Sequence, residues 1–287
     1  MKQILSLIEA NDPIVIHRHT NPDGDALGSQ TGLKQIILEN FPSKTVYMTG
    51  DPAGRYDFMA DSIMDDVPDE VFPNVLCIIL DTSAPHLISD NRYQQAKALC
   101  RIDHHLFIDH IAPVELVDSS FESCCGLITA FCMENGLRLN RAAAAALYTG
   151  MVTDSGRFRY DSTSPQTMRC AAFLLEHGVD TNEIYRQLYA SDFDQLLLRA
   201  KYTLKIRFTP CRVAYIYTTR DELAATGADE FTISRGMVSV MSDIQGVDIW
   251  TNFTETERGV LCASSFGSYI KGARSYSYFI QKLFAVS

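Results

Sequence analysis

The stretch IVIHRHTNPDGD at residues 14–25 decides both the fold and the chemistry of this chain. It opens with the apolar run at 14–16, which is typical of a buried β-strand. One imidazole, His19, and two carboxylates, Asp23 and Asp25, come shortly after that run. Imidazole nitrogens and carboxylate oxygens are ligands of divalent metal ions. The segment therefore predicts a strand that ends at a metal site.

Two later segments repeat this arrangement of an apolar run followed by side chains that can bind a metal. Asp81 follows the run Val75–Leu80, and the triplet Asp103–His105 follows the run Ala98–Ile102. In an open α/β sheet the carboxyl ends of neighbouring strands line one crevice. We therefore expect these residues, which are far apart in the sequence, to meet at one edge of a sheet.

The composition sets limits on the number of domains and on the partners. The chain has 287 residues, of which 46% are hydrophobic, so it can bury a sizeable core and two domains are expected. Its formal net charge is -10 at pH 7. A protein that coats duplex DNA needs dense Lys and Arg contacts to phosphate, so this charge argues against that class. A small anionic substrate held at a metal site is compatible with it.

The cysteines and the apolar segments indicate a compartment. The eight cysteines form no C-x-x-C pair, and several lie in apolar runs, as is typical of reduced thiols in a cytoplasmic protein. The first residues lack the apolar core and cleavage site of a signal peptide. No apolar run approaches the length of a membrane span. We expect a cytoplasmic protein without a membrane partner.

Strand-like and helix-like segments alternate through the first half of the chain, which predicts a mostly parallel sheet with helical crossovers. The predicted strands are Ile14–Ile16, Thr45–Met48, Val75–Leu80 and Cys100–Ile102, and the predicted helices are Ala26–Asn40, Asn91–Leu99, Glu122–Asn135, Arg141–Val152 and Pro165–His177. A long, charged helical pattern follows over Thr181–Leu204. Beyond it, predicted strands at Val213–Thr218 and Val247–Phe253 flank a helix near Thr232–Ile244.

The expected fold class is therefore α/β, with a mostly parallel-sheet catalytic domain over residues 1–185. A connecting helix is expected over 186–204, and a small α+β domain over 205–287. This division follows from the change from alternating strands and helices to one long helical pattern.

Each motif also has an ordinary structural interpretation. The segment Asp23–Asp25 alone is typical of an acidic turn, and Asp81 could cap a helix. His104 and His105 could be core or surface histidines, and Asp154 could end a helix. The combination of these motifs is more specific than each motif alone. Imidazoles together with carboxylates that can bridge two metal ions favour a two-metal site. Two cations can activate a water and clamp the oxygens of a phosphoryl group, which is the chemistry of a phosphoesterase.

Four motifs in this order resemble those of the DHH phosphoesterase superfamily. They are H-x-N-P-D-G-D-A-x-G-S at His19–Ser29, D-T-S at Asp81–Ser83, D-H-H at Asp103–His105 and T-D-S-G at Thr153–Gly156. The resemblance extends over about residues 10–190. It is nearest to the small bacterial DHH/DHHA1 enzymes, a RecJ-like branch that acts as oligoribonuclease (nanoRNase) and as phosphatase of 3′-phosphoadenosine-5′-phosphate (pAp).

The resemblance implies two divalent metal ions, most often Mn²⁺, with one carboxylate between them. The ligands it implies are His19, Asp23 and Asp81 for one ion and Asp25, Asp81, His104 and Asp154 for the other. Catalytic roles fall to His105, which would face the substrate phosphate, and to Asp103, which would orient the histidine pair.

Other polar residues near the motifs have weaker assignments. Arg157 and Arg159 follow the last motif closely enough to meet a substrate phosphate, and solvated loop arginines are an equally good interpretation. His17 precedes the first motif and is expected to be buried in the strand. The other histidines are interpreted as background.

The second domain departs from the pattern of this branch, which carries a late Arg-Ser segment and a Gly-Gly-Gly-His motif that grip the substrate. Arg258 begins the expected strand, but Ala263–Gly267 follows, and Arg274-Ser275 is a displaced counterpart. The expectation is a DHHA1-like domain that is atypical or truncated at its C-terminus. Hydrolytic capacity is then better supported than the identity of the substrate.

The function predicted from the sequence is hydrolysis of short RNA oligonucleotides or small phosphorylated nucleotides by a metal-activated water. One alternative keeps the metal site but changes the substrate to pyrophosphate, polyphosphate or a linear dinucleotide such as pGpG. Aromatic side chains near the site would favour a nucleotide, because a base needs a π-face for stacking. The other alternative is a nucleotide-binding module without catalysis. A homodimer is compatible with all three.

Overall fold

A computed structural model describes residues 1–242 and 244–266 of the chain. The chain divides into a first unit, Met1–Tyr189, and a second unit that begins at Ala190. Each unit contains its own sheet. All the predicted metal-binding residues belong to the first unit.

The strands of the first unit are β1 (Ile14–His17), β2 (Val46–Met48), β3 (Leu76–Leu80), β4 (Ala98–Asp103) and β5 (Val114–Val117). They form one sheet in the order β2-β1-β3-β4-β5, and every neighbouring pair is parallel. β1 and β3 are buried along their whole length, as central strands covered on both faces should be. The predicted α/β class with a mostly parallel sheet is confirmed.

The helices of the first unit are α1 (Lys2–Ala10), α2 (Gly24–Asn40), α3 (Cys124–Asn135), α4 (Arg141–Asp154), α5 (Pro165–Glu176) and α6 (Thr181–Tyr189). Side chains from all of them join the sheet in one apolar core. α2 packs closely on α4 because Gly28 has no side chain: a Cβ there would lie 2.5 Å from the carbonyl oxygen of Ala146. This close packing places the first turn of α2 beside the last turns of α4.

The strand order fixes where a ligand can bind. β1 has β2 on one side and β3 on the other, so the direction in which the sheet grows reverses between β1 and β3. In open α/β sheets, ligands bind outside the carboxyl ends of the strands at such a reversal. The loops after β1, β3 and β4 all leave the sheet at this edge.

The second unit contains α7 (Phe193–Leu204), β6 (Arg207–Phe208), β7 (Val213–Thr218), α8 (Arg220–Thr226), β8 (Ile249–Thr256) and β9 (Gly259–Phe266). Its sheet has the order β6-β7-β8-β9, with β7 and β8 parallel and the two outer pairs antiparallel. Ile216 and Trp250 are central to its core. In the part of the chain that the structure describes, no helix is both long and apolar enough to cross a membrane.

One predicted helix of the first unit differs from the structure, and one strand was not predicted. Only Asn91–Gln95 of the helix predicted at 91–99 is helical, as a short 3₁₀ turn, because the chain becomes extended at Ala96 and enters β4. The edge strand β5 had no predicted counterpart. Its residues are all half-buried, so it lacks the apolar run that revealed the central strands.

The helical pattern at 181–204, including the connecting helix predicted over 186–204, is interrupted. Residues 190–192 are not helical, and the Asp192 side chain accepts the Gln195 N–H to begin α7 as a separate helix. The helix predicted near 232–244 is replaced by a π turn at Thr232–Gly236 and a 3₁₀ turn at Val238–Met241.

Candidate metal centre

The six side chains predicted to bind metal come from the ends of strands and helices at one edge of the first unit's sheet. Asp81 and His104 directly follow β3 and β4, and His19 comes shortly after β1. Asp23 caps the N-terminus of α2, and Asp154 is the last residue of α4. The topology therefore brings together the residues that follow β1, β3 and β4, as the strand-end argument expected, and Asp154 joins them as the resemblance implied.

The first group in this cluster comprises His19, Asp23 and Asp81. His19 Nε2 lies 3.4 Å from an Asp81 oxygen and 3.9 Å from an Asp23 oxygen. The other ring nitrogen, Nδ1, lies 2.7 Å from the Thr20 carbonyl oxygen. When Nδ1 donates its proton to that carbonyl, Nε2 directs a lone pair towards the two carboxylates. This is the orientation of a histidine that binds a metal.

The second group comprises Asp25, His104 and Asp154. His104 Nε2 lies 3.7 Å from Asp25 and 3.6 Å from Asp154. Its Nδ1 lies 3.3 Å from the carbonyl oxygen of Phe121, so His104 is oriented in the same way as the histidine of the first group. In each group, one ligand atom per residue lies within 4.8 Å of the others.

Asp81 lies between the two groups. Its Oδ2 faces His19, and its Oδ1 lies 3.4 Å from His104 Nε2. Its backbone φ of +48° is in the left-handed region, which turns the chain sharply at the end of β3. The side chain is buried, and Oδ1 has no hydrogen-bond partner among the described residues. A buried acceptor without a partner is costly, so this atom is placed to receive a cation.

Asp25 is held by the N-terminus of α3. The Cys124 N–H donates to one carboxylate oxygen at 2.7 Å, and the Cys125 N–H donates to the other at 2.9 Å. The positive end of the α3 dipole also favours a negative charge at this point. Asp25 is therefore fixed in its direction while the remaining lone pairs of its oxygens stay open towards His104.

The charges in the cluster oppose one another strongly. Burial and then the Asp81 carboxylate raise the pKa of Asp25 well above its usual value, and burial raises the pKa of Asp154 to about 7. Burial lowers the pKa of His104, but the carboxylates around it outweigh this and raise the pKa to about 10. His19 behaves likewise, with its pKa raised to about 9. Crowded carboxylates of this kind need positive charge, from protons or from a metal.

The residues fit a divalent metal. Two imidazole nitrogens and four carboxylates form the donor set that suits Mn²⁺, Mg²⁺ or Zn²⁺. Asp81 Oδ1 is buried without a hydrogen-bond partner among the described residues, and His104 Nε2 faces it at 3.4 Å, so a cation bound by both atoms would satisfy that oxygen.

His105 stands beside the cluster and is held by Asp103. Its Nδ1 lies 2.7 Å from an Asp103 oxygen and 3.6 Å from Asp81, and its side chain is 44% exposed. The hydrogen bond with Asp103 raises the pKa of His105 above its ordinary value. Asp103 is fully buried and forms an ion pair with Arg101, which is also fully buried. This geometry orients a partly exposed imidazole at the rim of the site.

The weaker candidates make contacts of their own in the structure. His17 is fully buried, with Nε2 3.2 Å from the Cys77 sulfur, as expected. The Arg157 guanidinium stacks over the Tyr189 ring at 3.7 Å, and Arg159 is exposed with its Nε donating to the Gly156 carbonyl. The segment Arg274-Ser275 lies outside the described residues.

Sequence reasoning missed two buried arginines that shape the site's loops. Arg18 donates to the carbonyl of His19 and to the Gln30 side chain. Arg101 donates to the carbonyl of Asp109 at 3.1 Å and pairs with Glu115. Arg101 lies inside β4 and Arg18 directly follows β1, and the available signal was a charged side chain at these positions, where burial without a partner is rare.

A five-stranded parallel sheet whose carboxyl edge gathers two histidines and four aspartates, with Asp81 between the two groups, is the arrangement of a metal-dependent phosphoesterase. The family model for the DHH family, N-terminal domain, matches residues 13–151. This chain belongs to the DHH family.

Two curated relatives resemble most of the chain. The probable bifunctional oligoribonuclease and PAP phosphatase NrnA of Streptococcus mutans is 36% identical over 258 residues, which is 90% of this chain and 82% of that protein. The bifunctional oligoribonuclease and PAP phosphatase NrnA of Bacillus subtilis is 30% identical over 280 residues, 96% of this chain and 88% of that protein.

A solved structure shares the fold. The exopolyphosphatase-related protein from Bacteroides fragilis has a TM-score of 0.83 and 22% identity, covering 98% of this chain and 94% of that one. This likeness supports the fold alone.

Proposed function

We propose that this chain is a phosphohydrolase of short oligoribonucleotides and of pAp that works with two divalent metal ions, Mn²⁺ by preference. The observation that carries the proposal is the convergence of six imidazole and carboxylate side chains around Asp81. The substrates follow from the likeness to relatives named as oligoribonuclease and PAP phosphatase.

The ligand assignment follows from the two groups. His19, Asp23 and Asp81 would hold one ion, and Asp25, Asp81, His104 and Asp154 would hold the other. Asp81 supports the bridge because each of its oxygens faces a different histidine. Asp25 supports rigidity, because two N–H groups of α3 already fix its carboxylate.

The ions and the residues around them have different chemical roles. The bound cations would lower the pKa of a water and stabilise negative charge on the phosphate. His105 donates a hydrogen bond to a phosphate oxygen from Nε2, because its Nδ1 is engaged by Asp103. The ion pair of Asp103 with Arg101 keeps that carboxylate charged and in place. A positioned hydrogen-bond donor favours the transition state, in which charge on the phosphate oxygens increases.

The test is a comparison of substrates with the metal-loaded protein. Dinucleotides, longer RNA, pAp, pGpG and polyphosphate are assayed for kcat/KM after removal of metal and reloading with Mn²⁺, Mg²⁺ or Zn²⁺. We expect the largest kcat/KM with dinucleotides and pAp in Mn²⁺, and two ions bound per chain. Preference for polyphosphate or pyrophosphate would overturn the substrate assignment. Tight nucleotide binding without turnover in any metal would overturn the enzymatic one.

A further inference from the structure

The loop between β4 and β5 ends in an apolar tip that is exposed to solvent. Leu106, Phe107 and Ile108 are consecutive, and their exposed fractions are 72%, 54% and 68%. Single exposed apolar residues are ordinary, but a run of three on one loop is a feature that usually marks a contact surface.

This loop is anchored by buried charge. Arg101, fully buried in β4, donates to the Asp109 carbonyl just after the tip. Glu115, in β5, accepts the N–H groups of Ile111 and Ala112 at 2.8 and 3.2 Å. The Glu115 carboxylate also pairs with the Arg101 guanidinium, 3.4 Å away. These bonds hold the chain after the tip, and the bonds of His105 to Asp103 hold the chain before it. A loop held on both sides has a restricted shape, which favours recognition over simple solvent exposure.

The tip is also close to the site. Phe107 is two residues beyond His105, so the two Cα atoms are at most about 7 Å apart. The Phe107 ring packs edge-on against His110 with centroids 4.9 Å apart, which restricts the ring. From the phosphate of a nucleotide to its base is a distance of similar size, so a base can lie at the tip while its phosphate lies at His105.

We propose that Leu106–Ile108 is the surface that receives a nucleobase of the substrate, with the Phe107 ring as its stacking partner. This proposal rests on the proposed function. The occupant is a base because the tip combines an aromatic face and aliphatic neighbours with no charge of its own, beside an imidazole that Asp103 holds in place and that the proposed function assigns to the phosphate. Stacking on an aromatic side chain tolerates any base, as a nuclease of short RNA requires.

Arg101 contacts both the residue that holds His105 and the loop that carries the tip. Through Asp103 it positions His105, and through Asp109 it positions the tip, so one buried guanidinium sets the spacing between the phosphate and base positions. This link predicts that the site selects substrates by the distance between phosphate and base rather than by the identity of the base.

The experiment uses the full-length protein loaded with Mn²⁺ and two substrates, a diadenylate and the same compound with one abasic ribose. KM and kcat are measured for wild type, Phe107→Ala and Phe107→Tyr, with Phe193→Ala as a control at a phenylalanine that is 71% exposed in the second unit. In wild type we expect the abasic compound to have a KM at least about fivefold higher, the lower end of the stacking contribution of one base. In Phe107→Ala this ratio should fall towards one, and Phe107→Tyr should restore it.

The other outcomes contradict the proposal in distinguishable ways. If Phe107→Ala keeps the wild-type KM ratio, the base lies elsewhere and the loop assignment is wrong while the hydrolase function stands. If that variant changes only the sedimentation behaviour of the protein, the tip is a surface for a second copy of the chain. If wild type turns over no nucleotide at all, both this inference and the proposed function fail.

Discussion

Two histidines that are two residues apart have opposite environments. His17 lies inside the sheet at the end of β1, against Phe72 and Tyr93, and its burial lowers its pKa to about 4. His19 lies beyond the sheet edge, where Asp81 and the Thr20 carbonyl outweigh the effect of burial and raise its pKa to about 9. Both residues are histidines, so the difference between their pKa values comes from their positions relative to the end of β1.

The comparison shows how this fold separates stability from chemistry. Around His17 the interior of the sheet is apolar, and it accepts this histidine only as a neutral group beside the Cys77 sulfur. The carboxyl edge collects charged groups from several elements, whereas the buried charges of β4, Arg101 and Asp103, are paired with one another. Substitutions in the apolar interior should therefore mainly affect folding, and substitutions of the charged groups at the carboxyl edge should mainly affect turnover.

The largest expected effect is at the centre of the carboxyl edge. Asp81→Asn keeps a residue type that tolerates the left-handed backbone at this position, but removes the charge that faces both histidines. We expect turnover to fall by more than the order of 10²–10³ that one electrostatic group contributes, because both ions lose a ligand. Metal content is measured on the purified variant by elemental analysis.

A matched control for this variant is Asp51→Asn, a carboxylate in the same unit that accepts the Asn21 N–H outside the two metal groups. It should keep both ions. Two tightly bound ions and normal rates in Asp81→Asn would show that this carboxylate is not shared, and the two-metal assignment would be wrong.

A smaller loss of turnover is expected at His105, at the rim of the site. His105→Ala should keep both ions but lose on the order of 10²–10³ in kcat, because one donor to the phosphate is removed. Asp103→Asn should act in the same direction with a smaller loss, since His105 stays but is no longer held by a charged partner. Loss of metal from His105→Ala would instead make this histidine a ligand, for which its Nδ1 lies near enough to Asp81.

A substitution in the packing behind the carboxyl edge of the sheet should reduce turnover less. A Cβ on Gly150 would lie 2.2 Å from the Cys125 sulfur and 3.0 Å from an Asp25 oxygen, so Gly150→Ala must displace one of them. We expect unfolding to become easier by about 1–3 kcal/mol and metal affinity to fall by about 10–100-fold. Gly236→Ala is the control, because a Cβ there has no neighbour nearer than 4.0 Å. Equal metal affinity in the two variants would argue against this packing route to Asp25.

The sequence predicted the sheet and the six clustered side chains because both depend on local patterns. Apolar runs reveal buried parallel strands, and the topology of such sheets brings their carboxyl ends together. β5 was missed because its half-buried edge residues leave no apolar run. The break after Tyr189 was missed because helical periodicity continues across it, and only the cap at Asp192 reveals a new start.

The supporting network of the site could not be predicted from sequence. Arg101 reaches Asp109 and Glu115 across the β4–β5 loop, and such partners depend on strand register rather than on spacing. The same holds for Asp25, whose partners at Cys124 and Cys125 are about a hundred residues away in sequence. Local patterns identify ligands, whereas the groups that aim them come from tertiary contacts.

The smallest effect on turnover is expected inside the sheet, where His17→Leu should change the pH dependence of folding. The unfolded chain binds a proton at His17 near pH 6.5, but the folded protein does so only near pH 4. Wild type therefore has the full contribution of neutral His17 above pH 6.5 and loses it progressively as the pH falls towards 4, by up to about 3 kcal/mol. The leucine variant lacks this loss, so the difference in unfolding free energy between the two proteins should move in favour of the variant as the pH falls. Urea unfolding at a series of pH values, in the presence of a chelator, measures that difference, and groups common to both proteins cancel. Parallel stability curves across this range would mean that His17 is protonated without cost in the folded sheet, and the contrast with His19 would then not depend on burial.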